Sequence, residues 1–355
     1  MEAGFEKKAL ARDESTMPLL EQDIVLGLAL VLPSIMGFFK SNKFDVNGKT
    51  VLLTGASEGM GKSVAVQLAK KGANIIIVAR NVGKLEEALA QIKASAANPS
   101  TQRFQYISAD LAEEDGAATV MTEAIAWNNH QSPDIVWCIA GAAAPGLFIE
   151  TSRSVMRKQM DINFWSCVDM AHAILGEWLA PDEIAKGRQK HLIFTSSVVA
   201  FYPIAGYGPY APSKAAIKSL SDTLAQEVML YGDSVKVHTI FPGTILSPGL
   251  QTENKTKPEI TKILEESDPE NTPDQVAAAS IAGLENGDYL VTVGWLGSAM
   301  RACAWGGSRR NNFVLDTTFT WITSLVWPII SSDLDRKVKS YGKKHGHPST
   351  YAKKL

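Results

Sequence analysis

The sequence predicts an α/β protein, a doubly wound parallel sheet of about seven strands with helices on both faces. Three observations predict it. Short apolar runs rich in β-branched residues alternate with longer helical patterns along the chain. A glycine-rich turn joins the first such run to the first helix. Small residues and hydroxyls gather after later runs, at the strand ends where open α/β sheets bind ligands.

Composition sets the outer bounds. The chain has 355 residues, 45% hydrophobic and 20% charged, which supports a substantial core and excludes wholesale disorder. A net charge of -2 gives no reason to expect nucleic acid as a partner. Cys138, Cys167 and Cys303 show neither a disulfide framework nor metal-ligand spacing, which fits a reducing compartment and no bound metal. Residues 1–23 are mixed polar and expected to be mobile. Ile24 to Phe39 is apolar apart from small residues and Pro33, somewhat short of the roughly 20 residues a helical span requires. Residues 24–40 read as a membrane anchor, spanning or interfacial, with Lys40 and Lys43 suited to a headgroup region. Packing on the domain is the other reading of this stretch.

From residue 47 the elements follow in order. Thr50 to Leu53 is a buried strand, Lys62 to Lys71 a helix and Asn74 to Ala79 a second strand, together one βαβ unit. Between strand and helix stand Gly55, Ser57, Gly59 and Gly61, which let the backbone approach a pyrophosphate at the helix N-terminus. Arg80 ends the second strand, where an arginine can pair with the 2′-phosphate of NADPH and an acid would bind the free ribose of NADH. Glu58 places an opposing charge nearby. Lys84 to Ala94 is helical, and Phe104 to Asp110 is a third strand. Asp110 either accepts from an adenine amino group or caps the next helix. Gly116 to Trp127 is a helix, and Asp134 to Gly141 is a fourth strand opening into a turn at Gly141. Asn163 lies early in a long helix, where it makes a structural hydrogen bond or orients a water near Lys214.

The chemistry follows the fifth strand, His191 to Thr195. Ser196 and Ser197 stand at its end, and Tyr210 and Lys214 lie one helical turn apart on one face. A neighbouring ammonium stabilises a phenolate and is expected to lower the tyrosine pKa from about 10. Tyr210 as proton donor and a serine hydroxyl on the same oxygen, beside a dinucleotide, suit carbonyl reduction by hydride.

On these motifs the chain resembles the short-chain dehydrogenase/reductase family over about residues 47–300. The matches are Thr54-Gly-Ala-Ser-Glu-Gly-Met-Gly61, Tyr210-x-x-x-Lys214 and Phe241-Pro-Gly-Thr244. The resemblance implies a Rossmann-type sheet and a catalytic set of Ser197, Tyr210, Lys214 and Asn163. It implies that Tyr210 and Lys214 also touch the cofactor, and that Thr244 holds the nicotinamide carboxamide. Cys138-Ile-Ala-Gly141 departs from the family's usual Asn-Asn-Ala-Gly and loses two amides. Within the family the pattern is similar to NADPH-dependent reductases of a long-chain sphingoid-base ketone. A steroid, retinoid or fatty-acyl ketone is the alternative substrate, and a non-catalytic NADPH-binding scaffold the alternative class. Residues 245–268 are expected to form a mobile cover with bends at Pro248 and Gly249.

Past a helix from Pro273 and a seventh strand, Tyr289 to Val293, the chain extends further. Phe313 to Ile330 is apolar but carries Asp316 and Pro328, so it reads as an interfacial or re-entrant helix within a membrane-associated extension, residues 301–334. Residues 335–355 form a basic tail, either solvated and disordered or drawn to anionic lipid. The expected location is the endoplasmic reticulum membrane with the catalytic domain facing the cytosol. A homo-oligomer stays open.

Overall fold

The computed structural model describes residues 42–304 and 310–345. The expected anchor at 24–40 and the last stretch of the basic tail, 346–355, lie outside the described residues. Among the described residues seven strands form one sheet: β1 (Thr50–Thr54), β2 (Asn74–Ala79), β3 (Phe104–Ser108), β4 (Ile135–Cys138), β5 (Lys190–Thr195), β6 (Val235–Phe241) and β7 (Leu290–Thr292). Their order is β3-β2-β1-β4-β5-β6-β7, and every pairing is parallel. Parallel neighbours require crossovers, and the helices that supply them cover both faces.

The two-residue period of the strands divides the core. Leu53, Ile77, Trp137 and Ile193 pack on one face against α1 (Gly59–Lys70), α2 (Val82–Ala94) and, across the sheet's far half, α10, defined below. Leu52, Val78, Val136 and Phe194 face the other way, onto α3 (Gly116–Trp127), α5 (Ser166–Trp178) and α7 (Ala211–Glu227). Before α5 come α4 (Arg153–Met160) and a π-helical turn over Asp161–Trp165, and after it the short α6 (Pro181–Ile184). Beyond β6 lie α8 (Pro248–Glu253), α9 (Glu259–Glu265) and α10 (Pro273–Asn286), then α11 (Gly294–Cys303) and α12 (Phe313–His345) after β7.

Several boundaries differ from expectation for identifiable reasons. Helix α1 starts at Gly59 rather than Lys62, so the last glycines of the turn are already helical. Strand β3 stops at Ser108, because the Asp110 carboxylate turns the chain by accepting from the Ala112 amide at 3.1 Å. The cover over residues 245–268 contains two helices in place of a bending loop. Ser247 caps α8 by accepting from the Leu250 amide at 3.3 Å, and Pro248 takes the first helical position, where no N–H is needed. Helix α12 runs through the basic residues expected to be a tail as far as His345. Asp333 supports it there, pairing with Arg336 at 3.7 Å and Lys337 at 3.3 Å.

Asp316 turns inward. It is 6% exposed, lies 3.5 Å from Arg301 and accepts from the Asn312 amide at 2.8 Å. The opposite side of α12 presents Phe313, Trp321, Leu325 and Ile329 to the exterior.

Candidate active site

The strand order reverses between β1 and β4, and the crossovers from these strands leave in opposite directions. A crevice therefore opens above their C-terminal ends. It holds a cavity of about 610 Å³, lined by the glycine turn, the ends of β1, β2, β4, β5 and β6, and residues of α8 and the following segment.

The turn is shaped by close packing. Gly55 has φ +65°, and a Cβ there would lie 2.6 Å from the Ala140 backbone. The Thr54 hydroxyl clamps β1 to the turn after β4, accepting from the Ile139 and Ala140 amides at 3.0 and 3.1 Å. At the start of α1, Glu58 offers no side-chain cap and the first turn carries no acid, and Gly59, Met60 and Gly61 of that turn line the crevice. Arg80 and Lys84 line the same end of the cavity. These residues fit a nicotinamide dinucleotide, with amide donors and cations where phosphates need them. Arg80 lies 3.6 Å from Asp110, and both are exposed. Lys84, which sequence reasoning passed over, meets Glu58 at 2.6 Å and offsets the acid that opposed a phosphate. Its signal was available, since it stands in the first turn of the helix that follows Arg80.

At the other end the structure brings Ser197, Tyr210, Lys214 and Asn163 together. The two serines after β5 have different uses. Ser196 is buried and donates to the Lys214 carbonyl at 2.7 Å, holding α7 in place. Ser197 begins a 3₁₀ turn over Val198–Ala200, its hydroxyl donates to the Pro242 carbonyl at 3.4 Å, and it favours ionisation of the neighbouring Tyr210 phenol. Tyr210 stands at the N-cap of α7, and the Lys214 ammonium lies 5.7 Å from its ring centre. That ammonium donates to the Thr195 carbonyl at 2.9 Å, and burial lowers its pKa to about 8.

The expected lowering of the tyrosine pKa is absent. Tyr210 is pushed well above its ordinary value, by burial first and then by the charge of Glu253, with Ser197 pulling the other way. Dehydration of the phenol outweighs the ammonium, which is turned toward Thr195.

Asn163 lies in the π turn between α4 and α5, not in a regular helix, and is fully buried. Its amide makes a two-way pair with Ala142, accepting from the amide and donating to the carbonyl, each at 3.0 Å. It thus ties this turn to the chain after β4. A Cβ at Gly141 would lie 2.6 Å from its oxygen and 3.2 Å from the Lys214 nitrogen. Only glycine leaves these two side chains side by side. Thr244 lines the crevice after β6, its carbonyl accepting from the Asn271 amide at 3.1 Å. Asp110, read as an adenine acceptor or a cap, makes the local turn and faces Arg80.

The remaining wall comes from the cover and from the loop that precedes α7. Tyr207, Glu253, Lys257 and Glu265 form one bonded group, with Tyr202 and Asp268 beside it. Sequence reasoning did not select these residues, because their partners come from separate segments.

Comparison with known proteins agrees with this fold. A family profile described as short chain dehydrogenase matches residues 49–258, and the chain belongs to that family. Among curated relatives, the 3-ketodihydrosphingosine reductase of Neurospora crassa is 51% identical over 92% of this chain and 91% of its own length. The 3-ketodihydrosphingosine reductase of Aspergillus fumigatus is 44% identical over 97% of this chain and 100% of its own. Among solved structures, a short-chain dehydrogenase/reductase from Burkholderia phymatum in complex with NAD shares the fold, with a TM-score of 0.61 at 17% identity. It covers 70% of this chain and 90% of the other.

Proposed function

We propose that this chain reduces 3-ketodihydrosphingosine to sphinganine with NADPH, at the cytosolic face of the endoplasmic reticulum membrane. The carrying observation is 51% identity over 92% of the chain to a relative of that name, with Ser197, Tyr210 and Lys214 gathered in one crevice. NADPH, when bound, supplies the hydride that reduces the ketone carbon. Gly55, Ser57, Gly59 and Gly61 would cradle its diphosphate at the start of α1, with Arg80 and Lys84 at its 2′-phosphate and Thr244 at its carboxamide. Ser197 donates a hydrogen bond to the substrate oxygen, and Tyr210 gives that oxygen its phenolic proton as negative charge develops. A phenol of raised pKa still protonates an alkoxide, the stronger base. Lys214 holds positive charge near the phenolate left behind, and Asn163 positions the wall against which Lys214 packs.

Support for the membrane comes from α12. Its window Phe313–Ile330 has mean hydropathy 1.4 and is 11% buried, long and apolar enough to cross a bilayer. Its inward Asp316 favours lying along the surface with the apolar side in lipid. The three cysteines are free, which suits the reducing side. A substrate whose alkyl chain gains about 0.8 kcal/mol per buried CH₂ stays in lipid, so an enzyme at the bilayer meets it there. The test is NADPH oxidation by the full chain in detergent with 3-ketodihydrosphingosine, beside Tyr210→Phe. The variant keeps the aromatic ring, so it should still bind NADPH, and it should lose about 10²- to 10⁴-fold in kcat. Equal rates would overturn the mechanism.

A further inference from the structure

We infer that Glu253, at the end of α8, is the residue that recognises the substrate's amino group. The inference rests on the proposed substrate, in which an ammonium-bearing carbon is bonded directly to the ketone carbon. Tyr210 and Ser197 fix where the ketone oxygen must lie, independently of Glu253. The ammonium then falls within a few ångströms of that point, whatever path the alkyl chain takes. Glu253 lines the same cavity, and its carboxylate accepts from the Tyr207 hydroxyl, whose ring centre lies 5.8 Å from that of Tyr210.

The wall around Glu253 is short of positive charge. The Tyr207 hydroxyl lies against both Glu253 and Glu265, yet has one proton for two carboxylates. Lys257 meets Glu253 at 3.0 Å and Glu265 at 2.7 Å, a single ammonium between two acids. Asp268 adds a third carboxyl, and burial and the charge of Glu265 raise its pKa to about 6. An arriving ammonium supplies the donors and the charge this side of the cavity lacks.

The test compares 3-ketodihydrosphingosine with 1-hydroxyoctadecan-3-one, which has the same chain and ketone but no amine. Both are presented in detergent to the full chain with saturating NADPH. The wild type should prefer the amino ketone in kcat/KM. Glu253→Gln keeps the size of the side chain and its acceptor oxygen, and should cut that preference by about ten- to a hundredfold, largely through KM. NADPH binding followed by fluorescence reports whether the variant is folded, and Asp268→Asn, expected to shift the preference the same way by less, serves if it is not. A preference unchanged in both variants would overturn the inference while leaving the activity standing. No turnover of the amino ketone by the wild type would overturn the proposed activity itself, and this inference with it.

Discussion

Lys214 carries the clearest pH signature. Burial lowers its pKa to about 8, so its ammonium is present below that pH and lost above it. An exposed lysine would keep its charge to about 10.4. If the ammonium stabilises the phenolate left by Tyr210, kcat/KM should fall as pH rises through about 8. Lys214→Arg should remove that limb, because a guanidinium stays charged throughout. A profile flat to pH 10 in the wild type would exclude a charge role for Lys214. The spacing of Tyr210 and Lys214 was legible in the sequence, since one helical turn dictates it. Their ionisation was not. Burial and the carboxylate of Glu253 raise the phenol, and neither can be read from residues four apart. The choice of Ser197 over Ser196 came from the family resemblance, and the structure supplies a reason, since the buried Ser196 donates to the Lys214 carbonyl.

At the scale of elements, the junction of β2 and α2 sets the charge at the cofactor end. Arg80 leaves the end of the strand, Asn81 caps the helix by accepting from the Lys84 amide at 2.9 Å, and Lys84 thereby points back toward Glu58. One short turn thus places two cations beside α1. The strand end made Arg80 legible. Lys84 was legible on the same ground, standing just after Arg80, but its cap was not, because the helix starts two residues earlier, at Val82, with Asn81 before it. Arg80→Ala should weaken NADPH by about tenfold and leave NADH nearly unchanged. The double variant with Lys84→Ala should lose more, since it also releases the charge of Glu58. Binding of both cofactors by fluorescence titration decides it. A matched loss for the two would remove the phosphate role of this junction.

Across the whole molecule, the sheet and its crevice followed from periodicity, but the sidedness of the C-terminal extension did not. Asp316 argued against a full membrane span while its direction was unknown. Paired with Arg301 inside the protein, it leaves the outward side of α12 apolar. Trp327 of the same helix meets Tyr202 of the cavity wall, with ring centres 6.1 Å apart. In the proposed membrane reading, the apolar side of α12 would meet lipid while Trp327 of the same helix touches the cavity wall, which suits a ketone taken directly from the bilayer. Leu325 and Ile329 are 79% and 67% exposed, and moving two such side chains from lipid to water costs about 3–6 kcal/mol. Stable attachment usually takes two signals, and residues 24–40 are the second in this reading. Leu325→Glu with Ile329→Glu should therefore loosen membrane association in part, and more fully when residues 1–40 are also removed. Turnover of detergent-dispersed substrate should survive the paired substitutions, because neither side chain lines the cavity. Unchanged recovery of the combined variant in the membrane pellet would exclude both segments as the anchor.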